Sequence, residues 1–320
     1  MDQAIGIKIA GGDRAIDRVE PRDEARRGGG GGPVHSGRKL KRRISQAAAF
    51  TLFRGAAAMN AAALFILVGF LLARGARAIN WTFLTEAPRE AMTAGGILPC
   101  IVGTIVLSIG AMVVAFPLGV ASGIYLSEYA RPGKTLRIIR LGINNLAGVP
   151  SVVFGLFGLA VFVTWMKLGV SIISGALTLG VLTLPVIISA TEEALRSVPA
   201  TYREASLALG GTRWQTTFRV VLPAALPGVL TGGILGLARA AGETAPIMFT
   251  AAVFYSPNLP HSLMDQVMAL PYHIYVLATA GTNIEETRHL QYGTALVLIA
   301  LVFGMNLVAI VYRSYLRKKR

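Results

Sequence analysis

Residues 193–223 read EALRSVPATYREASLALGGTRWQTTFRVVLP and separate two long apolar runs. The spacing predicts a helix with Thr201 as its N-cap and Glu204, three residues later, as the capping-box partner. Gly210–Gly211 is typical of a helix end. A second short helix is expected to run to Pro223, where the next apolar run opens. This stretch, named the interhelical loop from here on, therefore predicts a compact polar knob between two apolar helices.

Apolar runs recur on both sides of the interhelical loop. Hydrophobic residues make up 53% of the chain and charged residues 15%, against about 25% charged residues in soluble domains. A bilayer core about 30 Å thick needs about 20 apolar helical residues, and six runs reach that length. The sequence therefore predicts an all-α, polytopic membrane protein with six transmembrane helices. The runs are 55–75, 97–127, 141–165, 172–192, 223–254 and 291–312.

The distribution of basic residues predicts the orientation in the membrane. Residues 1–46 show no apolar periodicity and are expected to form a disordered, basic cytosolic tail, followed by a permease domain over 47–320. With that tail inside, 24 of the 31 Lys and Arg residues lie in cytosolic segments and five lie outside. We therefore expect a multi-pass protein of the cell membrane with both termini and the interhelical loop, about 193–222, in the cytosol.

Several functions are excluded by what the sequence lacks. Cys100 is the only cysteine, and the four histidines are scattered without metal-ligand spacing. Gly133-Lys134-Thr135 resembles the end of a phosphate-binding loop, but Glu128 occupies the position of its first glycine. We expect no catalysis, metal or cofactor in this chain, so uphill transport would need energy from a partner or an ion gradient. The basic segments indicate contact with membrane lipid rather than nucleic acid.

Two charges interrupt the fifth apolar run. Arg239 and Glu243 are four residues apart, so a continuous helix would put them on one face. A charge inside a span is costly unless it is paired or faces a water-filled cavity. Gly242 and Pro246 flank Glu243 and predict a kink or an interruption of the helix there. The pair is therefore either an internal ion pair that offsets its own burial or part of a central pathway, and we favour the pathway.

The interhelical loop resembles the coupling loop of ABC importer permeases, which has the form E-A-A-x3-G-x9-I-x-L-P. Here it reads Glu204-Ala205-Ser206, then Gly210, then Val220-x-Leu222-Pro223, with every spacing kept. The resemblance implies a type I ABC importer permease fold and a coupling helix that docks on an ATPase subunit. Its docking residues would be Glu204, Ala205, Gly210, Leu222 and Pro223.

A narrower resemblance is to the A-type permeases, PstA, of phosphate-specific ABC importers. It lies in Leu237–Pro246, Asn144–Phe157, Ala269–Tyr275 and Gly95–Pro99, and it covers about residues 90–312. The Gly-Glu-Thr of this chain is followed by Ala245-Pro246, which favours the A-type over the related C-type permease.

The resemblance implies function and partners. Arg239 and Glu243 would act in phosphate translocation, because an Arg fork matches phosphate oxygens. The expected partners are a C-type permease, two ATPase subunits that bind ATP and Mg²⁺, an external phosphate-binding protein, phosphate and lipid. Other polar side chains either line the route or bond helices together: Thr104, Ser108, Asn144, Asn145, Ser151 and Thr244.

Two alternatives to phosphate import remain at this point. The first is a permease for another oxyanion, such as molybdate, sulfate or phosphonate, because the coupling loop does not distinguish these substrates from phosphate. The second alternative is a membrane signalling subunit without transport, in which the knob binds a cytosolic regulator.

Overall fold

The computed structural model describes residues 34–280 and 284–318, and the chain divides into two units, Met1–Leu64 and Phe65–Arg320. The described α-helices are α1 (Val34–Gly75), α2 (Trp81–Thr85), α3 (Leu98–Ile124), α4 (Lys134–Ala147), α5 (Ser151–Gly158), α6 (Ile172–Arg196), α7 (Ala200–Ala208), α8 (Arg213–Thr216), α9 (Leu222–Gly242), α10 (Ala245–Thr250), α11 (Leu270–Thr279) and α12 (Ile284–Lys318).

Shorter elements connect or extend these helices. In the described chain, π-helical turns occupy Tyr125–Tyr129, Leu159–Trp165 and Thr217–Val221, and 3₁₀ turns occupy Ala76–Ala78 and Glu90–Met92. Strands β1 (Pro88–Arg89) and β2 (Ala94–Gly95) form a small antiparallel hairpin in which Pro88 faces Gly95.

The predicted all-α membrane fold is confirmed. Within the described residues, five helical stretches are long and apolar enough to cross a membrane, and a sixth span is present if one bent helix pair is counted. The five are Ser45–Ala78, Leu98–Tyr129, Ile172–Arg196, Arg213–Gly242 and Thr287–Tyr315.

The bent pair corrects the predicted third span. That span was expected to run straight over 141–165, but α4 and the stretch Ser151–Trp165 meet at 99°. Pro150 lacks a backbone N–H and disfavours helical conformation at the residue before it, so α4 ends at Ala147. The first ten residues of the predicted span are therefore divided between an amphipathic helix and a turn.

The start of α1 differs from the predicted tail. Residues 34–46 were assigned to a disordered segment, whereas the structure describes a helix from Val34. The basic block Arg38–Arg43 consists largely of Lys and Arg, which are good helix formers and extend the helix that follows. Residues 1–33, the rest of the predicted tail, lie outside the described residues.

Small residues let α6 pack closely between α3 and α9. A Cβ atom at Gly119 of α3 would lie 2.6 Å from Cγ2 of Ile187, and one at Gly232 of α9 would lie 2.6 Å from Cβ of Ala190. Such close approach is how helices associate when lipid offers no hydrophobic driving force. Because α6 has neighbours on two sides, it is the most buried of the five apolar stretches.

The bundle has two distinct ends. The loop end carries α7, α8 and Tyr125–Tyr129, and the far end carries the hairpin and α11. Segment 251–269 folds back at the far end, where the backbone N–H of Ile172 donates to the carbonyl of Asp265 at 2.9 Å. The stretch between the fifth and sixth apolar runs is therefore partly built into the bundle, since Leu270 and Leu277 of α11 are buried.

Candidate functional site

The charged pair lies where the fifth predicted span is interrupted. Helix α9 ends at Gly242, Glu243 is extended with φ −79° and ψ 132°, and α10 begins at Ala245 with a proline in its first turn. The predicted interruption at Gly242 and Pro246 is confirmed. The run 223–254 is consequently two helices rather than one, and α10 ends at Thr250.

Arg239 and Glu243 form a loose ion pair at this break. Nε of Arg239 lies 3.4 Å from Oε1 of Glu243, and the two side chains are 32% and 19% exposed. Among the described residues, the terminal nitrogens of Arg239 have no hydrogen-bond partner. The guanidinium is therefore oriented by one long contact and keeps most of its planar fork of donors available.

Helix α5 lies against α10 and brings one further predicted residue near the break. A Cβ atom at Gly155 would lie 2.9 Å from the carbonyl oxygen of Ala245, so the two helices touch at backbone level. Ser151 is the first residue of α5, about one turn before that contact. Thr244 lies in the break itself, half-buried.

The two asparagines predicted for the route lie elsewhere. Asn144 and Asn145 are exposed on α4, on the other side of the 99° bend from Ser151. Asn144 lines a polar recess of 340 Å³ at the loop end, together with Arg140, Glu192 and other polar residues. The structure therefore brings Arg239, Glu243 and Thr244 together, with Ser151 on the adjoining helix, and separates both asparagines from them.

Thr104 and Ser108 have structural partners in the core. The hydroxyl of Ser108 donates to the carbonyl of Thr104 at 2.7 Å. The hydroxyl of Thr104 donates to the carbonyl of Cys100 at 2.8 Å and accepts from the backbone N–H of Leu270 at 2.9 Å. The hydroxyl of Thr104 therefore joins α3 to α11 at the far end, whereas the bond of Ser108 lies within α3.

The interhelical loop forms the second candidate region, a knob made of α7 and α8. The predicted end of the first helix is confirmed, because Gly210 adopts φ +83° just beyond α7. The predicted capping box at Thr201 and Glu204 is wrong. Pro199 precedes the first helical residue, which leaves Thr201 already inside the helix, and no side chain caps α7.

A capping box occurs instead at the next helix. The backbone N–H of Thr212 donates to Oε1 of Gln215 at 2.9 Å, and the backbone N–H of Gln215 donates to Oγ1 of Thr212 at 3.2 Å. This box starts α8, which continues without a break through Thr217–Val221 into α9. Pro223 therefore lies inside one continuous helical stretch, shortly after the π-helical turn, and the predicted stop is absent.

The knob exposes several large apolar side chains. Tyr202, Leu209 and Trp214 are 53%, 91% and 62% exposed. A groove of 700 Å³ runs between α7 and the start of α9, with Ala205 and Gly210 in its lining. Exposed apolar patches of this kind mark interaction sites, and we name this one the knob surface.

The predicted docking residues divide between this surface and the bundle. Glu204, Ala205 and Gly210 are exposed on the knob. Leu222 and Pro223 are half-buried at the start of α9, and Leu222 packs against the cluster that contains Val221 and Leu195. The last two therefore support the knob from below rather than line its surface.

Sequence reasoning missed two residues at the loop end, Glu128 and Arg203. They form an ion pair across 75 positions of sequence. Glu128 directly follows the second apolar run, whereas Arg203 lies eleven residues after the fourth, so no local pattern connects the two. For metals, the structure holds no group of three or more His, Cys, Asp or Glu residues in its described part.

Comparison with protein families identifies the class of this molecule. Residues 115–320 match the family described as the binding-protein-dependent transport system inner membrane component. The chain belongs to this family, and it is a multi-span membrane permease component of an ABC importer.

Individual relatives narrow the class. A "Phosphate transport system permease protein PstA 1" of Mycobacterium tuberculosis is 36% identical over 286 residues, which are 88% of this chain and 92% of the relative. A "Probable ABC transporter permease protein YqgI" of Bacillus subtilis is 34% identical and covers 84% of this chain and 95% of its own length. The resemblance to PstA permeases seen in the sequence motifs is confirmed.

A solved structure supports the fold. An inward-facing structure of the MetNI methionine ABC transporter matches 69% of this chain and 95% of its own chain, with a TM-score of 0.55 and 20% identity. The predicted type I importer permease fold is confirmed by this likeness.

Proposed function

We propose that this chain is the permease subunit of an ATP-driven phosphate importer. The observation that carries the proposal is the half-exposed guanidinium of Arg239, held at a helix break by one 3.4 Å contact to Glu243. A planar fork of donors fits two phosphate oxygens. The PstA relatives, at 36% identity, support phosphate as the anion.

Glu243 has two roles in this proposal. It orients Arg239 while the path is empty, and phosphate replaces it on the guanidinium during passage. Its negative charge also repels the anion, which keeps phosphate from being trapped on Arg239. Thr244 offers a hydroxyl at the break and Ser151 one on the adjoining helix α5, whereas Asn144 and Asn145 lie on α4, beyond the 99° bend.

The knob surface is the proposed coupling site. Helix α7, with Glu204, Ala205 and Gly210, would dock in a groove on an ATPase subunit, and Leu222 and Pro223 would carry its movement into α9. ATP and Mg²⁺ bind to two such partner subunits, and this chain hydrolyses nothing itself. A C-type permease completes the pore, and an external binding protein delivers phosphate.

The proposed orientation follows from the basic residues. Both termini and the knob face the cytosol of a cell whose plasma or inner membrane holds the assembly. Because α12 runs from the far end towards the loop end, the bond from Arg313 to Oγ1 of Thr231, at 2.6 Å, supports a shared side for the C-terminus and the knob.

The experiment is uptake of radiolabelled phosphate at low external phosphate, with Arg239→Gln and Arg239→Lys in a cell lacking other phosphate carriers. We expect Arg239→Gln to abolish uptake and Arg239→Lys to lose most of it, because lysine lacks the fork. Arg89→Gln is the matched control, since among the described residues Arg89 pairs only with half-buried Glu86, at the far end. Wild-type uptake by Arg239→Gln would reject the proposed role of Arg239.

Competition distinguishes the substrate alternatives. Sulfate and molybdate in excess are expected to leave phosphate uptake unchanged, and inhibition by either would favour the permease of another oxyanion. Failure of any ATPase to co-purify with the chain would favour a signalling subunit that does not transport.

A further inference from the structure

One arginine of the knob makes four hydrogen bonds into the bundle. Nε of Arg203 donates to Oε2 of Glu128 at 3.1 Å, and one terminal nitrogen, Nη2, donates to Oε1 of Glu128 at 2.7 Å. The same Nη2 reaches the carbonyl of Leu195 at 2.8 Å, and Nη1 reaches the carbonyl of Val198 at 2.9 Å. The side chains of Arg203 and Glu128 are 25% and 11% exposed.

These bonds join three different elements. Glu128 lies in the π-helical turn that ends the long span begun by α3. The carbonyl of Leu195 belongs to the last turn of α6, where carbonyls lack partners within the helix. Arg203 itself lies in α7. A single guanidinium therefore connects the knob to α3 and closes the end of α6.

The connection to α3 differs from the other connections of the knob. Residues 197–199 join α7 to α6 through the chain, and residues 209–212 join it to α8 and α9. A hydrogen bond of 2.8 Å between the hydroxyls of Ser206 and Thr216 reinforces the second link. Helix α3 has no such chain link. Among the described residues, the Arg203–Glu128 pair is the one ion pair between α7 and the end of α3.

We propose that Arg203 and Glu128 are positioning residues that make α3 move with α7. We name this pair the clamp. The proposal rests on the proposed function, in which an ATPase displaces the knob. A displacement of α7 would reach α6 and α9 through the backbone, and it would reach α3 through the clamp. Without the clamp, α7 would still dock, and α3 would follow it only through its packing against α6.

The test measures phosphate imported per ATP hydrolysed, with the complete assembly in proteoliposomes. Glu128→Gln and Arg203→Lys each remove the two-pronged ion pair while keeping the size of the side chain. We expect ATP hydrolysis to persist and the phosphate-to-ATP ratio to fall about five- to tenfold, as for the loss of a typical coupling free energy. The double variant should be no worse than either single variant, because both break one interaction.

Glu192→Gln is the matched control. Glu192 lies at the loop end as well, and it forms ion pairs with Arg140 at 2.5 Å and Arg196 at 2.6 Å. Among the described residues, it makes no ion pair with α7. The control should keep the wild-type ratio and the same amount of co-purified ATPase. An unchanged ratio in the clamp variants, or an equal fall in Glu192→Gln, would overturn the clamp.

A second readout does not depend on the substrate. Spin labels on Leu207→Cys of α7 and Tyr125→Cys at the end of α3 report the distance between the two elements, since both positions are exposed and Cys100 is buried. The clamp variants should broaden this distance distribution, and Glu192→Gln should leave it unchanged. If the wild-type assembly imports no phosphate, the proposed function fails, and the distance measurement still decides whether the clamp holds α3 to α7.

Discussion

The ion pair of the clamp and the ion pair at the end of α9 join the same two residue types in different ways. Arg203 engages Glu128 with two bonds of 2.7 and 3.1 Å and places two more of its five N–H donors on backbone carbonyls. Arg239 touches Glu243 at a single 3.4 Å contact and has no other bond in the described chain. A guanidinium with most of its N–H donors hydrogen-bonded is suited to hold elements together, whereas one with most donors free is available to a ligand.

The backbone around each pair explains this difference. Arg203 lies in a helix that packs under the ends of two others, so unpaired carbonyls lie within its reach. Arg239 lies in the last turn of α9, and the extended Glu243 turns the chain away before another helix can supply acceptors. The comparison therefore predicts that stability depends on the first pair and transport on the second.

The largest loss of stability is expected from Arg203→Ala. It leaves Glu128, which is 11% exposed, without its cation and removes one donor from each of two carbonyls, those of Leu195 and Val198. Breaking a partly buried pair of this kind costs about 3 to 4 kcal/mol of unfolding free energy. Denaturant unfolding of the purified chain in detergent measures it. Arg89→Ala, which removes an exposed pair, should lose less than about 0.5 kcal/mol. Equal losses would break the comparison.

His273 is a buried titratable group that, unlike the two arginines, has no ion-pair partner in the described chain. His273 of α11 is 4% exposed, its Nδ1 has no hydrogen-bond partner in the described chain, and burial lowers the pKa of its imidazole to about 4. The unfolded chain, with a pKa near 6.5, therefore binds the proton first as the pH falls. Stability is expected to be full above pH 6.5 and to fall by up to about 3 kcal/mol by pH 4.

Unfolding midpoints between pH 7 and pH 4 measure this effect. His273→Phe should remove most of the decline while changing stability little at pH 7. If the variant and the wild type decline in parallel over this range, other groups cause the acid sensitivity.

A smaller effect is expected at the end of α7. Gly210 has φ +83° and open space around its Cα, so Gly210→Ala meets only the backbone penalty of about 1 kcal/mol. Gly142→Ala is the matched control, because Gly142 also has open space but lies inside α4, where alanine is favoured. Proteolysis of the knob should speed up in the first variant alone, and a similar response in both would argue against a fixed knob.

The smallest stability change is expected at the loose pair. Arg239→Gln and Glu243→Gln should each change the unfolding free energy by less than about 1 kcal/mol, because the contact is long and partly solvated. Phosphate uptake should nevertheless be lost in Arg239→Gln. A stability loss as large as that of Arg203→Ala would show that Arg239 has a structural role.

Features set by local chemistry could be predicted from the sequence. Gly210 ends α7 and Gly242 ends α9 as expected, because the residues that stop these helices lie next to them in the chain. The ion pair of Arg239 and Glu243 could be predicted for the same reason, since the two residues are only four positions apart in the chain.

Two kinds of feature could not be predicted from the sequence: those decided by competing local signals, and those formed by residues far apart in the chain. The capping box is found at Thr212 rather than Thr201, because α7 starts two residues earlier than predicted, directly after Pro199. The third span bends because the turn at Pro150 prevails over an unbroken apolar count. The clamp joins positions 75 residues apart, and no local pattern indicates which charges will meet.

The π-helical turn Thr217–Val221 allows α9 to change its register by one residue relative to α8. Its hydrogen bonds span one residue more than those of an α-helix, so the turn holds one surplus residue. An α-helix advances about 1.5 Å and turns about 100° per residue. Converting the π turn into an α turn would therefore rotate α9 by about 100° about its axis and shift it by about 1.5 Å along that axis. The step would swing Arg239 to another side of the helix axis, and it would leave the carbonyl of Arg219 without an α-helical donor, because Pro223 has no backbone N–H.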